Sequence, residues 1–211
     1  ERLQVVPGSV VALSDSIACE AANHFDARFL VYQDRLFVHY NNNWDTVPNQ
    51  IFLVELDSDT LQARSAARPL ALEGPRQPIE KNWLLFEHDG EPFAIYQVDP
   101  HIVLRVDLVG SGPVRCWPVY HTDWDTRAYT RRYGALRGGT PPVRVGDSYV
   151  SILHSRAAPR KLTPTTPAPA VEKLKHLPWW HPIKRWLREH FAPVHYYGGV
   201  YAFAATPPFA P

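Results

Sequence analysis

Three segments with strand-like alternation recur along the chain at nearly even spacing, and a cluster of polar residues precedes or opens each one. The segments cover residues 27–41, 82–100 and 141–155. Asp26 in the first cluster and Glu80 in the second are 54 positions apart, and Arg137 in the third follows 57 positions later. This period suits one four-stranded propeller blade with generous loops. Equivalent blade strands face one central axis, so the sequence predicts that the three clusters converge there.

Each segment has the period-2 pattern of a half-buried hairpin around a recognisable turn. In the second, Asp89-Gly90 is a turn dipeptide because glycine tolerates positive φ. The other two turns are predicted at Gln33-Asp34-Arg35 and at Gly146-Asp147. Residues 50–56 and 102–108 are further strand candidates. The sequence therefore predicts an all-β protein with a β-propeller architecture. A closed ring of five blades at this period would need more residues than the chain has, so either the end blades are incomplete or the missing strands come from elsewhere.

Composition limits the classes of function. The 211 residues are 45% hydrophobic and 12% aromatic, enough for a real core. Twenty-two Lys and Arg against twenty-one Asp and Glu leave a net charge of +1, so no overall field points to nucleic acid. No run of eighteen apolar residues predicts a membrane span. Cys19 and Cys116 are too far apart for a CxxC pair, and either two buried thiols or one disulfide fits them. The compartment stays open.

Residues 157–193 interrupt the strand rhythm, and we divide the chain into blades at 1–156, this insertion, and a return strand at 194–211. The insertion begins as a Pro-rich extended linker and ends in a short amphipathic helix after Pro182. Its basic stretch beside Trp179, Trp180 and Trp186 fits an anchor on an acidic membrane surface or a protein partner. The alternative, which we favour, is that these rings pack over a blade or over the mouth of the site.

The first cluster pairs a carboxylate with a guanidinium. Asp26 and Arg28 flank Ala27, so on a regular strand both side chains leave the same face. A neighbouring cation stabilises the charged carboxylate, whereas a general acid needs the protonated form. Asp26 is therefore either one half of a structural ion pair or a proton donor whose substrate offsets Arg28.

The second and third clusters suit a sugar and an anion. Three polar residues heading an apolar strand are costly unless they face water, each other or a ligand. Lys81 would bind phosphate, Glu80 and Asn82 would bind sugar hydroxyls, and Trp83 would stack on a sugar ring; a surface strand edge is the alternative. Arg137-Gly138-Gly139-Thr140 could hold a phosphate or carboxylate, with His154 facing the axis beside it, or could be an ordinary turn. No metal site is predicted.

Taken together, the stretches FDARFLVYQDRLFVHYN, EKNWLLFEHDGEPFAIYQVDPH, LRGGTPPVRVGDSYVSILHS and YYGGVYAFAATPPF resemble successive blade motifs of the five-bladed propeller enzymes around glycoside hydrolase family 130 and the related β-mannosyltransferases. The resemblance implies cleavage or transfer of β-mannosidic linkages, often with inorganic phosphate and with inversion. It makes Asp26 the general acid and Lys81 a phosphate contact, and it places Arg137 and His154 near the anion or sugar. Phe25 stands where that group has a carboxylate.

The sequence thus favours a carbohydrate-active enzyme that cleaves or transfers a glycosidic bond. Arg28, Lys81 and Arg137 would hold inorganic phosphate or a sugar-phosphate donor as co-substrate, with no other cofactor. The alternative is a non-catalytic propeller that binds a glycan or docks in a larger assembly. Nucleic acid is not an expected partner.

Overall fold

The structure is a computed structural model, and it describes residues 10–18, 24–42, 49–157 and 195–211 together with 4 and 8. Eight strands form one sheet, and a single 3-10 turn at Leu13–Asp15 precedes them. The first four strands are β1 (Phe25–Tyr32), β2 (Arg35–Asn41), β3 (Ile51–Leu56) and β4 (Arg68–Leu72). The next four are β5 (Leu84–His88), β6 (Glu91–Gln97), β7 (His101–Asp107) and β8 (Val114–Thr122).

The sheet runs in the order β1-β2-β3-β4-β8-β7-β6-β5. Each group of four is an antiparallel meander, and the two groups join where β4 and β8 pair in parallel. At the other end of the sheet β1 lies against β5, which nearly closes the eight strands into a barrel-like sheet. The predicted all-β class is therefore confirmed in this coarse form.

A second, smaller sheet follows a short helix. Helix α1 covers Arg127–Tyr133, and the strands are β9 (Leu136–Gly138), β10 (Val143–Val145), β11 (Ser148–Ala157) and β12 (His195–Ala204). Strand β11 is central, because β9 and β10 pair with successive parts of one edge and β12 pairs along the whole of the other. The chain leaves β11 at Ala157 and returns in β12 at His195, so both ends of the insertion meet at one end of this ladder.

The predicted hairpin turns are confirmed, and backbone angles explain them. Gln33 and Asp34 have φ values of 49° and 57°, and Asp89 and Gly90 have 50° and 78°. Two successive residues with positive φ match the right-handed twist of paired strands. Gly146 turns the third hairpin with φ 60°.

The core forms on both faces of the sheet because neighbouring residues on a strand point in opposite directions. Trp83 and Leu85 pack inside the barrel-like sheet. Leu84 and Phe86 point the other way, into an aromatic core that the second sheet completes. Phe209, near the end of the chain, is fully buried in that second core and packs edge-on against Phe86.

Strands β4, β8 and β9 and helix α1 were not predicted; the sequence suggested a turn at Arg137 to Thr140, where β9 ends. Strand β4 is only five residues long and begins beside Pro69, and β8 contains Pro118 within an irregular polar pattern. Helix α1 has no buried residue, so it gives no apolar period to detect. Trp179, Trp180, Trp186 and the rest of the insertion after Ala157 lie outside the described residues.

Two further observations concern the cysteines and membranes. Cys116 is a buried free thiol, and Cys19 lies outside the described ranges. Burial raises the pKa of the Cys116 thiol to about 12, so this thiol stays protonated. Among the described residues, no helix has both the length and the apolar character needed to cross a bilayer.

Candidate functional site

The three predicted polar clusters come together around the side chain of Arg28. Its Nε donates to the carbonyl oxygen of Gly139 at 2.7 Å, and its Nη2 lies 3.4 Å from Oδ1 of Asn82. Its Nη1 donates to the main-chain oxygen of Asp26 at 3.1 Å. Burial lowers the pKa of Arg28, and the nearby Asp26 charge opposes that shift. Arg28 thus joins β1, the approach to β5 and the end of β9, with its donors occupied by the protein itself.

The Asp26 carboxylate is not arranged as the regular strand predicts. A β-bulge falls between Phe25 and Arg28, and Asp26 itself has φ 54°. Because a bulge breaks the alternation of faces, Asp26 and Arg28 no longer project as an i, i+2 pair. The carboxylate instead lies 3.3 Å from Nδ2 of Asn41 and is exposed. Asp26 is therefore open to solvent at a locally strained backbone position.

Glu80 and Trp83 belong to the protein core and not to a ligand site. Glu80 is 2% exposed, and its carboxylate accepts hydrogen bonds from Trp83 Nε1 at 3.0 Å, Tyr96 Oη at 3.2 Å and the Gln77 backbone N–H at 2.9 Å. Arg76 adds a contact at 3.6 Å. Trp83 is also 2% exposed, and Tyr96 covers it edge-on. The sugar-binding interpretation of both residues is corrected, because neither carboxylate nor ring face is accessible.

The two glycines of the third cluster serve close packing. A Cβ at Gly138 would lie 2.5 Å from the carbonyl oxygen of Asn82, and one at Gly139 would lie 2.6 Å from that of Ile152. The protein's own backbone therefore lies against these two glycines, and close packing accounts for them without a bound phosphate. Thr140 is similarly occupied, since its Oγ1 accepts a hydrogen bond from the Ile152 N–H at 3.0 Å.

The main cleft, of about 790 Å³, lies between the approach to β5 and the end of the second sheet. Three of the predicted site residues line it: Lys81 and Asn82 from the second cluster, and Arg137 from the third. Five further polar or aromatic residues in its lining were not predicted: Gln77, Tyr96, Gln97, Arg156 and Tyr196. Arg156 and Tyr196 face each other across the β11/β12 ladder. Only their strand register brings them to the cleft, and no local sequence signal marks that register.

His154 reports the electrostatics beside the cleft. It pairs with Arg137 in the β9/β11 register and is partly buried. Burial lowers its pKa, and the charges of Arg137, Arg28 and Lys81 lower it further, against a smaller opposite effect of Asp26. His154 is therefore neutral at neutral pH and lies in a region of positive potential.

A smaller cleft of about 530 Å³ holds the first cluster. Asp26, Arg28, Gly139 and Thr140 line it. Gly138 belongs to the main cleft, so the Gly138-Gly139 backbone and Arg28 stand between the two spaces. The predicted single pocket is thus divided, with Asp26 on one side and Lys81 and Arg137 on the other.

In the described part of the chain, no group of three or more His, Cys, Asp and Glu side chains is placed to hold an ion.

The chain matches no protein-family model, and no curated protein matches it.

Proposed function

We propose that this protein is carbohydrate-active and that its main cleft binds a sugar together with a phosphate group, as a sugar phosphate or as a sugar beside inorganic phosphate. One observation carries the proposal: Lys81, Arg137 and Arg156 line the same cleft, and within the described ranges none of their side chains has a hydrogen-bond or ion-pair partner. Cations without counter-charges repel one another, and a phosphate dianion relieves that repulsion.

The neutral part of the cleft suits sugar hydroxyls. Asn82, Gln77 and Gln97 line it. Gln77 Nε2 donates to Gln97 Oε1 at 3.3 Å, Gln97 Nε2 donates to the Asp99 main-chain oxygen, and Asn82 Oδ1 accepts from Arg28, so each amide keeps part of its hydrogen-bonding capacity for a ligand. Amides both donate and accept, as hydroxyl groups do, so a few of them orient a sugar without needing charge. The Tyr196 ring, 67% exposed, offers the apolar face that Trp83 does not.

Glycosidic bond cleavage is the reaction we assign to this arrangement. A phosphate oxygen attacks the anomeric carbon while the bond to the leaving oxygen breaks, and Asp26 gives its proton to that oxygen. The products are a sugar 1-phosphate and a free alcohol. Because Asp26 lines the neighbouring cleft, its carboxyl group reaches the leaving oxygen only if the scissile bond lies at the edge of the Arg28 partition. The sequence resemblance makes a β-mannoside the first substrate to test.

The division of the two clefts favours a second candidate, a non-catalytic glycan-binding protein. In that case Asp26 stabilises the bulge at the start of β1 through Asn41, and the cations of the main cleft bind the ligand without turnover. Both candidates bind the same ligand, and they differ only in whether the protein cleaves the glycosidic bond.

The five-bladed propeller remains part of this proposal. The meanders β1–β4 and β5–β8 have the antiparallel order of blades, and β9, β11 and β12 follow in the same order as an incomplete third. Further blades would come from a second chain or from sequence outside these residues.

Titration calorimetry with mannose 1-phosphate, mannose and inorganic phosphate tests the binding. We expect mannose 1-phosphate to bind most tightly, and Arg137→Gln and Lys81→Gln to weaken it about tenfold each. Arg115→Gln is the matched control, because Arg115, which lies on β8, is ion-paired with Glu73. Equal weakening by all three variants, or no binding of any ligand, would refute the proposal. A turnover screen of β-mannosides with phosphate then separates the candidates: Asp26→Asn abolishes turnover only in the enzyme.

A further inference from the structure

Strand β12 leaves one edge of the second sheet open. It is the last strand in the sheet order β10-β11-β12, and it pairs with β11 from His195 to Ala204 without a bulge. On its other side, among the described residues, only the N–H of Ala204 has a main-chain partner, which is the carbonyl oxygen of Ala210. The rest of this ten-residue strand therefore has an unpaired edge.

The hydrogen bond of Ala204 shows which residues face the open edge. In an antiparallel strand, the N–H and C=O groups of one residue point to the same side, and the side changes with each residue. The N–H of Ala205 points the other way, to the carbonyl oxygen of Asp147. The main-chain groups at the open edge are therefore those of Tyr196, Gly198, Val200 and Ala202.

This edge has none of the features that protect exposed strands from pairing. Proteins protect such edges with very short strands, charged side chains, proline or bulges. Strands β9 and β10, on the opposite edge of the sheet, have three residues each. Strand β12 has the sequence HYYGGVYAFA, which contains no Lys, Arg, Asp, Glu or Pro. The open edge of β12 is therefore suited to pairing with another strand.

Apolar side chains cover the face of the sheet beside this edge. Val200 lies across the ladder from Ile152, and alternation places Val143 and Val145 of β10 on the same face. All four of these side chains are at least 50% exposed. Tyr196, near the start of β12, is on this face as well. A strand that pairs with β12 would remove part of Val200 and Tyr196 from water.

We infer that two copies of this chain pair through the open edges of β12, as one antiparallel strand pair. A two-fold axis perpendicular to the sheet makes two identical strands antiparallel, which is also the pairing of the other strands in this sheet. A strand without charged residues meets its own copy without like-charge repulsion, whereas a charged peptide would find no opposite charge on β12. This pairing goes beyond the proposed function and does not depend on the ligand of the main cleft.

Analytical ultracentrifugation of the whole chain at increasing concentrations measures the association. We expect dimers that dissociate on dilution, because one strand pair buries less surface than a standard-size interface. Val200→Lys places two like charges at the paired edges and should weaken dimerisation at least about tenfold.

Val143→Lys is the matched control. Val143 is 66% exposed on the same face, against 69% for Val200, but it lies on β10, two strands away from the open edge. This variant should dimerise like the unmodified chain. Circular dichroism checks that both variants are folded.

Amide hydrogen exchange identifies the paired groups. In the dimer, the N–H groups of Gly198 and Val200 should exchange at least about tenfold more slowly than in the diluted monomer. The N–H of Tyr201 faces β11 and should be protected in both states. Val200→Pro removes one N–H from the open edge and leaves the β11 ladder intact, as edge strands tolerate, and it should also weaken dimerisation.

Three outcomes would overturn the inference. The first is a chain that stays monomeric at every concentration. The second is equal weakening by Val143→Lys and Val200→Lys, which would mean that the copies associate through the face of the sheet. The third is a dimer in which the exchange of Gly198 and Val200 is unchanged, or which Val200→Pro does not weaken, because its contact would lie elsewhere.

Discussion

Arg28 donates a hydrogen bond from Nε to the carbonyl oxygen of Gly139 at 2.7 Å, across 111 positions of sequence. This contact attaches the first strand of the barrel-like sheet to the second sheet, and it separates the two clefts. Arg28 therefore determines how the first and third predicted clusters are placed relative to each other.

Replacing Arg28 with Ala should destabilise the protein, because the partly buried Gly139 carbonyl and the Asn82 side-chain oxygen both lose a donor. We expect a loss of about 1–3 kcal/mol in the free energy of unfolding, measured by urea denaturation. Arg64→Ala, which removes an exposed ion pair with Asp57, should cost much less, because solvent screens exposed charges. Equal losses in the two variants would mean that Arg28 does not join the sheets.

Gly138→Ala should disrupt the approach of β9 to the residues before β5. The new Cβ would lie 2.5 Å from the Asn82 carbonyl oxygen, so the backbone has to move, at a cost of about 1–3 kcal/mol. Gly198→Ala is the control, since nothing lies within 4 Å of a Cβ there. In thermal denaturation, the midpoint temperature should fall for Gly138→Ala and stay the same for Gly198→Ala. An unchanged midpoint for Gly138→Ala would contradict the close packing at this position.

Glu80→Gln separates a structural role from a ligand-binding one. The buried carboxylate accepts from Trp83 and Tyr96, so the amide should cost about 1–3 kcal/mol of stability and change the Trp83 fluorescence. Affinity of the folded protein for mannose 1-phosphate should stay the same. If Glu80→Gln greatly weakened mannose 1-phosphate binding without lowering stability, Glu80 would have to contact the ligand.

Two buried histidines make stability depend on pH. Burial lowers the pKa of His39 to about 3 and that of His101 to about 4, from 6.5 in an unfolded chain. Below pH 6.5 the unfolded state binds more protons than the native state, so stability is full above that value and is lost as pH falls toward 4. The two together give a slope of roughly 3 kcal/mol per pH unit.

His101→Leu isolates one of these contributions. His101 packs against Phe203, and within the described ranges its two ring nitrogens have no hydrogen-bond partner, so an apolar side chain can replace it. Urea denaturation between pH 4 and 6.5 should show about half the histidine-dependent slope in this variant. An unchanged slope would exclude His101 as the cause.

Local patterns in the sequence were sufficient for much of the fold. The turn at Asp89-Gly90 follows from glycine chemistry, and alternation around it places Phe86 and Phe93 on one face. The parallel pairing of β4 with β8 could not be predicted, because it joins distant segments with no shared local signal. Helix α1 was missed because none of its side chains is buried.

The site was predictable only in part. Lys81 and Arg137 line one cleft, as polar residues heading apolar strands suggest. The bulge between Phe25 and Arg28, which separates Asp26 from the other clusters, could not be predicted because these four residues carry no sequence pattern for a bulge. In the sequence, the polar neighbours of Trp83 suggest a ring that stacks on a ligand. In the structure, Trp83 donates a hydrogen bond from its ring N–H to Glu80 and is buried in the core.

The most direct test of the anion site is the pKa of His154, measured by NMR titration of its ring protons with and without saturating mannose 1-phosphate. His154→Gln assigns the signal. Burial lowers this pKa in the free protein, and the charges of Arg137, Arg28 and Lys81 lower it further. A bound phosphate dianion offsets the effect of those charges. We predict that the ligand raises the pKa of His154. A pKa that stays the same at saturation, or falls, would contradict the binding of phosphate beside these cations.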